Sequence, residues 1–283
     1  TTDVFAIPTA VIIAQPIAYV GQSVSIDGSQ SVLAQNYKWS FGDNTTSTNP
    51  SVSHIYESPG VYEIKLEINN SVTDSTTITI LPYLPVPYQL GDSGYTGDFE
   101  TSPEHFASYT VQGTGIQRGS STKPGKDGTF SGTSAWVLGI NDNLYQNNTR
   151  AEFYTPMYDL SEPGLYELKF WSKFAIQNPH DGFQVEYSTN GGASWIQLGT
   201  RDNPNWYNYY NANLADGAFP MGKSYFTNAQ LTWTQYIKDI SFLTGSTTVS
   251  FRYIFRSDDE EQAQGFAIDN FEITRYEGEL ETN

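Results

Sequence analysis

Hydrophobic and polar residues alternate over short stretches along the whole chain. Near the start, Tyr37, Trp39 and Phe41 fall on one side of an extended segment, and residues 42–44 (Gly-Asp-Asn) then favour a turn. A second alternating segment follows after a Pro-Gly pair, with its apolar side made of Tyr62, Ile64, Leu66 and Ile68. Two half-buried strands joined through turns predict a small β-sandwich.

The same alternation continues after residue 98. Three groups of apolar residues alternate with polar ones: Tyr166, Leu168, Phe170 and Phe174; Phe183, Val185 and Tyr187; and Val249, Phe251, Tyr253 and Phe255. Asn190-Gly191-Gly192 predicts a hairpin turn. One irregular insertion, about residues 201–230, interrupts the pattern. The sequence therefore predicts an all-β chain whose second part is a two-sheet jelly roll.

The chain is long enough for two domains, because it has 283 residues. Three prolines within residues 82–87 favour an extended, semi-rigid spacer. We therefore predict a first domain over 1–82, a linker over 83–94 and a second domain over 95–283.

Charge and composition narrow the class of partner. The net charge is −17, and a chain this acidic is repelled by phosphate backbones and anionic headgroups, so nucleic acid is an unfavourable partner. Residues 10–20 are apolar but contain Gln15 and Pro16, which favours a strand, and no apolar run predicts membrane insertion. The sequence has no cysteine, and a β-protein of this size has enough core without disulfides.

The first domain resembles the PKD domain, an immunoglobulin-like β-sandwich. The resemblance covers about residues 6–82 and includes Val20-Gly21, Asp27-Gly28-Ser29 and Trp39-Ser40-Phe41-Gly42-Asp43. It implies an extracellular or outer-surface location and a spacer role.

The second domain, about residues 95–276, resembles MAM-like and cleaved-adhesin jelly rolls, which share the galactose-binding type of β-sandwich. The matching segments are Phe99-Glu100, residues 154–161, residues 185–195 and residues 265–273. This domain order resembles accessory regions of secreted or surface proteins of Bacteroidetes. The resemblance implies that the chain can be part of a larger multidomain protein.

Catalytic motifs are scarce. The chain has three histidines, no His-Glu-x-x-His helix and no Gly-x-Ser-x-Gly elbow. Residues 119–126 have five residues between their glycines, where a phosphate loop needs four, and so predict a surface loop. The acidic run 258–261 predicts a solvated turn. We therefore expect a protein that is not an enzyme.

A calcium site is implied by the resemblance to MAM-like jelly rolls, in which the first and last strands share the ion. Asp269 has the strand parity of Phe271 and Ile273, so its carboxylate is expected to be buried and to need a partner. The resemblance implies that Glu100 and Asp269 share a structural Ca²⁺, with Asp98 or Asp142 as lesser candidates. The alternative is a carboxylate held by Arg or by backbone donors.

The insertion concentrates aromatic and polar residues. Flat Trp and Tyr rings stack on the apolar faces of sugars, while Arg, Asp and Asn bind hydroxyls. The candidate ligand-binding residues are Trp206, Tyr207, Tyr209, Tyr210, Arg201, Asp202 and Asn208. The alternative is that rings such as Trp206 and Tyr209 fold back and anchor the loop.

The function that we predict from these patterns is that of a non-catalytic, secreted or surface-displayed binding protein. The jelly roll is expected to recognise a polysaccharide or other glycan. Two alternatives remain open: an accessory region of a larger secreted protease or adhesin that binds protein or aids secretion, and a lyase or hydrolase on the jelly roll.

Overall fold

The computed structural model describes residues 7–81, 87–88, 94–100, 106–213, 215 and 217–276. The chain divides into two compact units, Thr1–Leu84 and Pro85–Asn283. Within the described residues, every regular element is a β-strand apart from one 3₁₀ turn at Ser241–Leu243. The predicted all-β fold class is confirmed.

The first unit is a sandwich of two sheets. Its strands are β1 (Ile13–Ala14), β2 (Ile17–Tyr19), β3 (Ser23–Asp27), β4 (Tyr37–Ser40), β5 (Thr46–Ser47), β6 (Ser51–Ile55), β7 (Gly60–Ile68) and β8 (Val72–Leu81). One sheet has the order β1-β3-β6 and the other the order β2-β8-β7-β4-β5.

The core of the first unit lies between these sheets. Trp39 and Phe41 are buried, and the Trp39 indole donates a hydrogen bond to the Asn49 carbonyl at 2.8 Å. The ring of His54 lies 4.4 Å from that of Phe41, and its Nε2 is 2.7 Å from Asp43 Oδ2. The alternation of β4 therefore corresponds to a buried aromatic face, in which His54 has a structural role.

The second unit is a two-sheet jelly roll. Its strands are β9 (Pro87–Tyr88), β10 (Tyr95–Gly97), β11 (Ala107–Gln112), β12 (Ile116–Gly119), β13 (Ala135–Leu138), β14 (Arg150–Tyr158), β15 (Leu165–Ile176), β16 (Gly182–Ser188), β17 (Ile196–Gln197), β18 (Tyr209–Tyr210), β19 (Ser224–Tyr225), β20 (Asn228–Asp239), β21 (Val249–Arg256) and β22 (Gly265–Tyr276). The front sheet has the order β11-β14-β21-β16-β17, with β9 beside β14, and the back sheet the order β12-β13-β22-β15-β20, with β10 beside β22. A separate two-stranded sheet joins β18 and β19.

Aromatic side chains fill the space between the front and back sheets. Phe153 and Tyr253 of the front sheet and Phe170 of the back sheet are fully buried in one cluster. Because side chains alternate along a strand, the residues between them point to the outer faces of the two sheets. The predicted alternation of β15, β16 and β21 is thus confirmed.

Part of the predicted linker belongs to the second unit. Pro87 and Tyr88 pair in parallel with Met157 and Tyr158 of β14. A proline-rich segment tolerates this position because β9 is a short edge strand. Residues 82–86 and 89–93 of the predicted linker lie outside the described residues.

Candidate functional site

The aromatic insertion, predicted at about residues 201–230, ends at residue 227 because β20 begins at Asn228, and it connects β17 to β20 along the front sheet. The backbone groups of Phe226 and Phe183 exchange hydrogen bonds of 2.9 and 3.0 Å. Tyr209 and Tyr210 pair with Tyr225 and Ser224. The insertion is therefore an ordered extension beside β16 rather than a free loop.

Two of the predicted stacking residues are core residues. Trp206 is 4% exposed and Tyr207 is 3% exposed. The Trp206 indole donates to the Leu198 carbonyl at 2.8 Å, and the Tyr207 hydroxyl both donates to and accepts from the backbone of Val185 at 2.9 Å. The stacking role predicted for Trp206 and Tyr207 is therefore wrong, because their rings close the end of the sandwich and have no face open to a ligand.

The remaining residues of the insertion differ in what their side chains can do. The Asn208 amide group donates to the Thr227 carbonyl at 2.7 Å and accepts from the Thr227 amide at 3.0 Å, so it is used by the fold. Tyr209 is partly buried, with its ring 5.2 Å from that of Tyr225. Tyr210, Arg201 and Asp202 are exposed, with Tyr210 at 44%. These three side chains are the predicted ligand-binding residues that the fold leaves at the surface.

The outer face of the front sheet carries a polar network beside an aromatic ring. The guanidinium of Arg252 lies 2.6 Å from Glu186 Oε2 through Nη2 and 3.5 Å from Glu152 Oε2 through Nη1. The ring of the partly exposed Trp195 stacks over this guanidinium at 4.6 Å. Tyr154 packs against Trp195 at 5.8 Å and donates a hydrogen bond to Glu152. We call these five residues the Trp195 platform.

The charges of the Trp195 platform are held in place. Burial opposes the charged form of Arg252, but Glu152 and Glu186 outweigh it and raise the pKa of the guanidinium. Burial and the Glu152 carboxylate raise the pKa of the Tyr154 hydroxyl, so it stays a neutral donor. A network whose members are already paired presents fixed donors and acceptors, which lowers the ordering cost of binding.

Hydrogen bonds join the Trp195 platform to the insertion. Gln184, two residues before Glu186 on β16, donates to Gln197 Oε1 at 2.9 Å and to the Ser224 carbonyl at 2.7 Å. The Arg201 amide donates to Ser224 Oγ at 3.1 Å, and Tyr210 lies opposite Ser224. These bonds run through the buried side chains of Gln184 and Ser224, so they fix the position of the insertion relative to β16.

The Trp195 platform was not among the predicted sites, although the sequence contains a signal for it. Glu186 and Arg252 occupy the polar positions of strands whose alternation was recognised, and Glu152 lies at such a position on β14. Opposite charges at polar positions of three strands would have suggested a cross-strand network. The strand order β14-β21-β16, which places Arg252 between the two carboxylates, came only from the structure.

The two leading calcium candidates lie close together. β10 pairs with β22, which brings the first and last strands of the jelly roll side by side. Asp269 Oδ2 accepts hydrogen bonds from the amides of Phe130 and Ser131 at 2.8 and 3.1 Å. Glu100 Oε1 accepts from the amides of Thr133 and Ser134 at 2.9 and 2.6 Å. Both carboxylates therefore hold the segment 130–134.

Asp269 is buried, as predicted, but on the other side of the back sheet from Phe271 and Ile273. Its side chain is fully buried, but it pairs across the sheet with Trp171, whose side chain is on the outer face. An irregularity at Asn270, which has a φ of 45°, breaks the alternation between Asp269 and Phe271. Asp269 thus lies beneath the segment 130–134 rather than in the sandwich core.

The pKa of Asp269 is raised to about 6, mainly by burial and further by the charge of Glu100, against the opposing effect of its backbone donors. Backbone amides and a hydroxyl donate to these two carboxylates, which is the arrangement expected from the alternative of a carboxylate held by backbone donors. Within the described part of the chain no group of three or more His, Cys, Asp or Glu side chains is arranged to hold a metal. A cation here would take its other ligands from backbone and hydroxyl oxygens, which calcium accepts.

The two lesser calcium candidates have different positions. Asp98 Oδ1 accepts a hydrogen bond from the Glu100 amide at 2.9 Å, which places it beside Glu100. Asp142 follows β13, with its amide bonded to the Gly139 carbonyl at 3.0 Å, and its charge acts on the buried amine of Lys126. The structure records no contact of Asp142 with Glu100 or Asp269 among the described residues, so it does not support Asp142 as a ligand.

The fold is that of an all-β protein of two units, a PKD domain and a jelly roll. The PKD domain model matches residues 5–80, which confirms the resemblance seen in the sequence. The Reelin subrepeat B model matches residues 125–274, just over half of the chain, and the chain belongs to that family. Among the described residues, no helix has the length and apolar character that crossing a membrane requires.

Several solved structures are similar to the chain at low identity. One, from a study of the promiscuous specificity of carbohydrate-binding modules of the β-sandwich superfamily, is 17% identical over 95% of this chain and 98% of its own, with a TM-score of 0.39. Two cleaved adhesin domains of Lys-gingipain from Porphyromonas gingivalis are 17% and 21% identical, cover 65% and 64% of this chain and 99% and 97% of their own, and have TM-scores of 0.38 and 0.36. A search of curated protein sequences found no significant match.

Proposed function

We propose that the jelly roll binds a glycan on the outer face of its front sheet, without converting it, and that the protein does so outside the cell. The observation that carries this proposal is the Trp195 ring stacked on Arg252 between Glu152 and Glu186. The indole offers a flat apolar face to a sugar ring, and the charged groups around it bind hydroxyls. Arg201, Asp202 and Tyr210 extend this surface along the insertion. The PKD domain serves as a spacer.

Binding fits the Trp195 platform better than hydrolysis does. Paired-carboxylate hydrolysis needs one carboxyl that acts as an acid and one that acts as a base or nucleophile, in contrasting environments. Glu152 and Glu186 instead share one guanidinium. Because both carboxylates are held beside the Arg252 guanidinium, the three groups offer acceptors and donors to the hydroxyls of a sugar.

Trp195→Ala is the first test of glycan binding. Trp195 is partly exposed, and its loss removes the stacking face while leaving the ion pairs of Arg252 in place. We expect about a tenfold or greater loss of affinity, equivalent to ~1.4 kcal/mol, for the oligosaccharides that the intact protein retains on a glycan array. The melting temperature should change by no more than a few degrees.

Phe242→Ala is the matched control, because Phe242 is an exposed ring on the 3₁₀ turn and is 60% exposed. It should bind as the intact protein does. Undiminished binding by Trp195→Ala would refute the proposed site. If the intact protein bound immobilised proteins but no glycan, that result would favour the accessory, protein-binding alternative.

We also propose that Ca²⁺ binds at Glu100 and Asp269, with Asp98 nearby, and stiffens the segment 130–134. Bound ion stabilises the native state by mass action, by ~2.7 kcal/mol at one hundred times the Kd. For a unit of this size, millimolar calcium should raise the melting temperature by about 5 °C or more over chelator. Asp269→Asn should abolish the shift, and Asp142→Asn should preserve it. Identical melting in calcium and chelator would contradict the proposal.

A further inference from the structure

A depression lies on the outer face of the back sheet, on the side of the jelly roll opposite the Trp195 platform. Its volume is about 640 Å³, which is within the range of ligand sites. Its lining is made of Thr122, Pro124, Gly125, Asp127, Lys173, Ala175, Ala229, Leu231 and Gln264. The floor comes from β15 and β20, and the wall comes from the segment 120–131, which we call the covering segment.

The covering segment is fixed to the sheet at several points. The amine of Lys126 is fully buried and donates to the Leu138 carbonyl at 2.7 Å. The hydroxyl of Ser121 donates to the Ile140 carbonyl at 2.9 Å. At the other end, the Phe130 amide donates to Asp269 Oδ2 at 2.8 Å. A wall held in this way keeps its shape without a ligand, so the depression is preformed.

A charged pair lies within the depression. Lys173 Nζ is 2.7 Å from Asp127 Oδ1, and the side chains are 12% and 51% exposed. The hydrogen bond from Lys173 lowers the pKa of Asp127, so the carboxylate is ionised at neutral pH. The carboxylate can accept a hydrogen bond from one hydroxyl while the ammonium beside it donates a hydrogen bond to the neighbouring hydroxyl. Adjacent hydroxyls of a sugar ring have this arrangement.

An aromatic surface borders the charged pair. The ring of Phe130 stacks on that of Trp171, with centroids 3.7 Å apart and planes inclined by 11°. Trp171 covers one face of Phe130, while the Phe130 side chain is 39% exposed. Trp171 is two residues from Lys173 on β15, which places the stack about 7 Å from the pair. Leu231, which is 60% exposed, adds an apolar rim on β20.

We infer that this depression, with the Phe130–Trp171 stack, is a second binding site, for a neutral polysaccharide with vicinal hydroxyls. A sugar ring would lie on Phe130, and its neighbour along the chain would bind Asp127 and Lys173. The overall charge of −17 disfavours an acidic chain, and the paired charges of the depression add no net attraction for one. With sites on opposite faces, one jelly roll would bridge two polysaccharide chains, and binding to a multivalent surface would gain by avidity.

The test is electrophoresis of the intact protein through native gels that contain arabinoxylan, xyloglucan, mixed-linkage β-glucan or galactomannan. The variants are Phe130→Ala, Asp127→Asn, Trp195→Ala, the double variant Phe130→Ala/Trp195→Ala, and Phe242→Ala as the exposed-ring control. We expect Phe130→Ala and Asp127→Asn each to reduce retardation about tenfold in at least one gel. The double variant should migrate as in a polysaccharide-free gel. Asp127→Asn keeps the shape of the side chain, so its effect does not depend on refolding of the covering segment.

The two proposed sites fail in distinguishable ways. Loss of retardation with Phe130→Ala and Asp127→Asn but not with Trp195→Ala would support the second site and refute the platform. The reverse pattern would overturn the second site and leave the platform standing. Intact protein that no polysaccharide retards would overturn both. Bridging gives a further readout, since intact protein should make a polysaccharide solution turbid and Phe130→Ala should not.

Discussion

Trp206→Ala is expected to lower the free energy of unfolding of the jelly roll by about 3–5 kcal/mol. The indole is 4% exposed and contacts the rings of Phe170 and Phe226, so its removal leaves a cavity where the insertion closes the core. The variant also leaves the Leu198 carbonyl without its indole donor. Calorimetry should show the loss in the transition of the second unit. A free energy of unfolding of ~5–15 kcal/mol is usual, so this is a large fraction.

Trp195→Ala is the matched control for stability, because it removes the same side chain eleven positions earlier in the chain. Trp195 is partly exposed and covers a charged group rather than core residues. We expect it to change the free energy of unfolding by about 1 kcal/mol or less. Equal losses in the two variants would contradict the assignment of Trp206 to the core and Trp195 to the surface.

Asp181 is expected to make the jelly roll less stable as the pH rises from about 4 to about 6. Its carboxylate is fully buried, and burial raises its pKa from the ordinary value of 3.8 to about 6, although the Tyr145 hydroxyl donates to it at 2.6 Å. The folded state therefore holds a proton that the unfolded chain releases. Between these pH values the folded state binds more protons, so the free energy of unfolding falls with pH. The total effect is about 3 kcal/mol.

Asp181→Asn should remove this dependence. The amide oxygen can still accept the hydrogen bond that the Asp258 amide donates at 2.8 Å, and the amide nitrogen can donate to Tyr145. The free energy of unfolding should be measured by urea denaturation at pH 4 and pH 7. Relative to wild type, that of the variant should be about 3 kcal/mol higher at pH 7 than at pH 4. Asp202→Asn, on the exposed insertion, should show no such gain. A constant difference between Asp181→Asn and wild type at both pH values would count against a raised pKa.

Much of the fold follows from local pattern. The spacing of Trp39 and Phe41, and of Phe183 and Val185, predicts a strand with one buried face, and burial of these residues confirms it. The hairpin predicted at Asn190-Gly191-Gly192 is the turn between β16 and β17, with Glu186 opposite Gln197. Alternation and turn residues act within a few positions of each other, so the sequence is enough to recognise them.

The acidic run 258–261 shows where a local pattern is insufficient. Asp259, Glu260 and Glu261 are exposed, as a solvated turn requires. Asp258 instead is buried, with its amide bonded to Asp181 from a loop far away in sequence. Residues 119–126, predicted as a surface loop, likewise bury Lys126 completely. The burial of Asp258 and of Lys126 does not follow from composition, because it depends on which other segment of the folded chain packs against each side chain.

The sequence by itself determined the two β-units, the PKD domain and the presence of an aromatic insertion, because each rests on residues that are neighbours in the chain. The tertiary structure alone decided which rings of that insertion are core and which remain at the surface, and it joined Arg252 to Glu152 and Glu186. Segregation between core and surface depends on contacts between strands that are distant in sequence. The position of the proposed glycan site therefore came from the order of β14, β21 and β16, while the sequence had supplied only the kinds of residue that such a site needs.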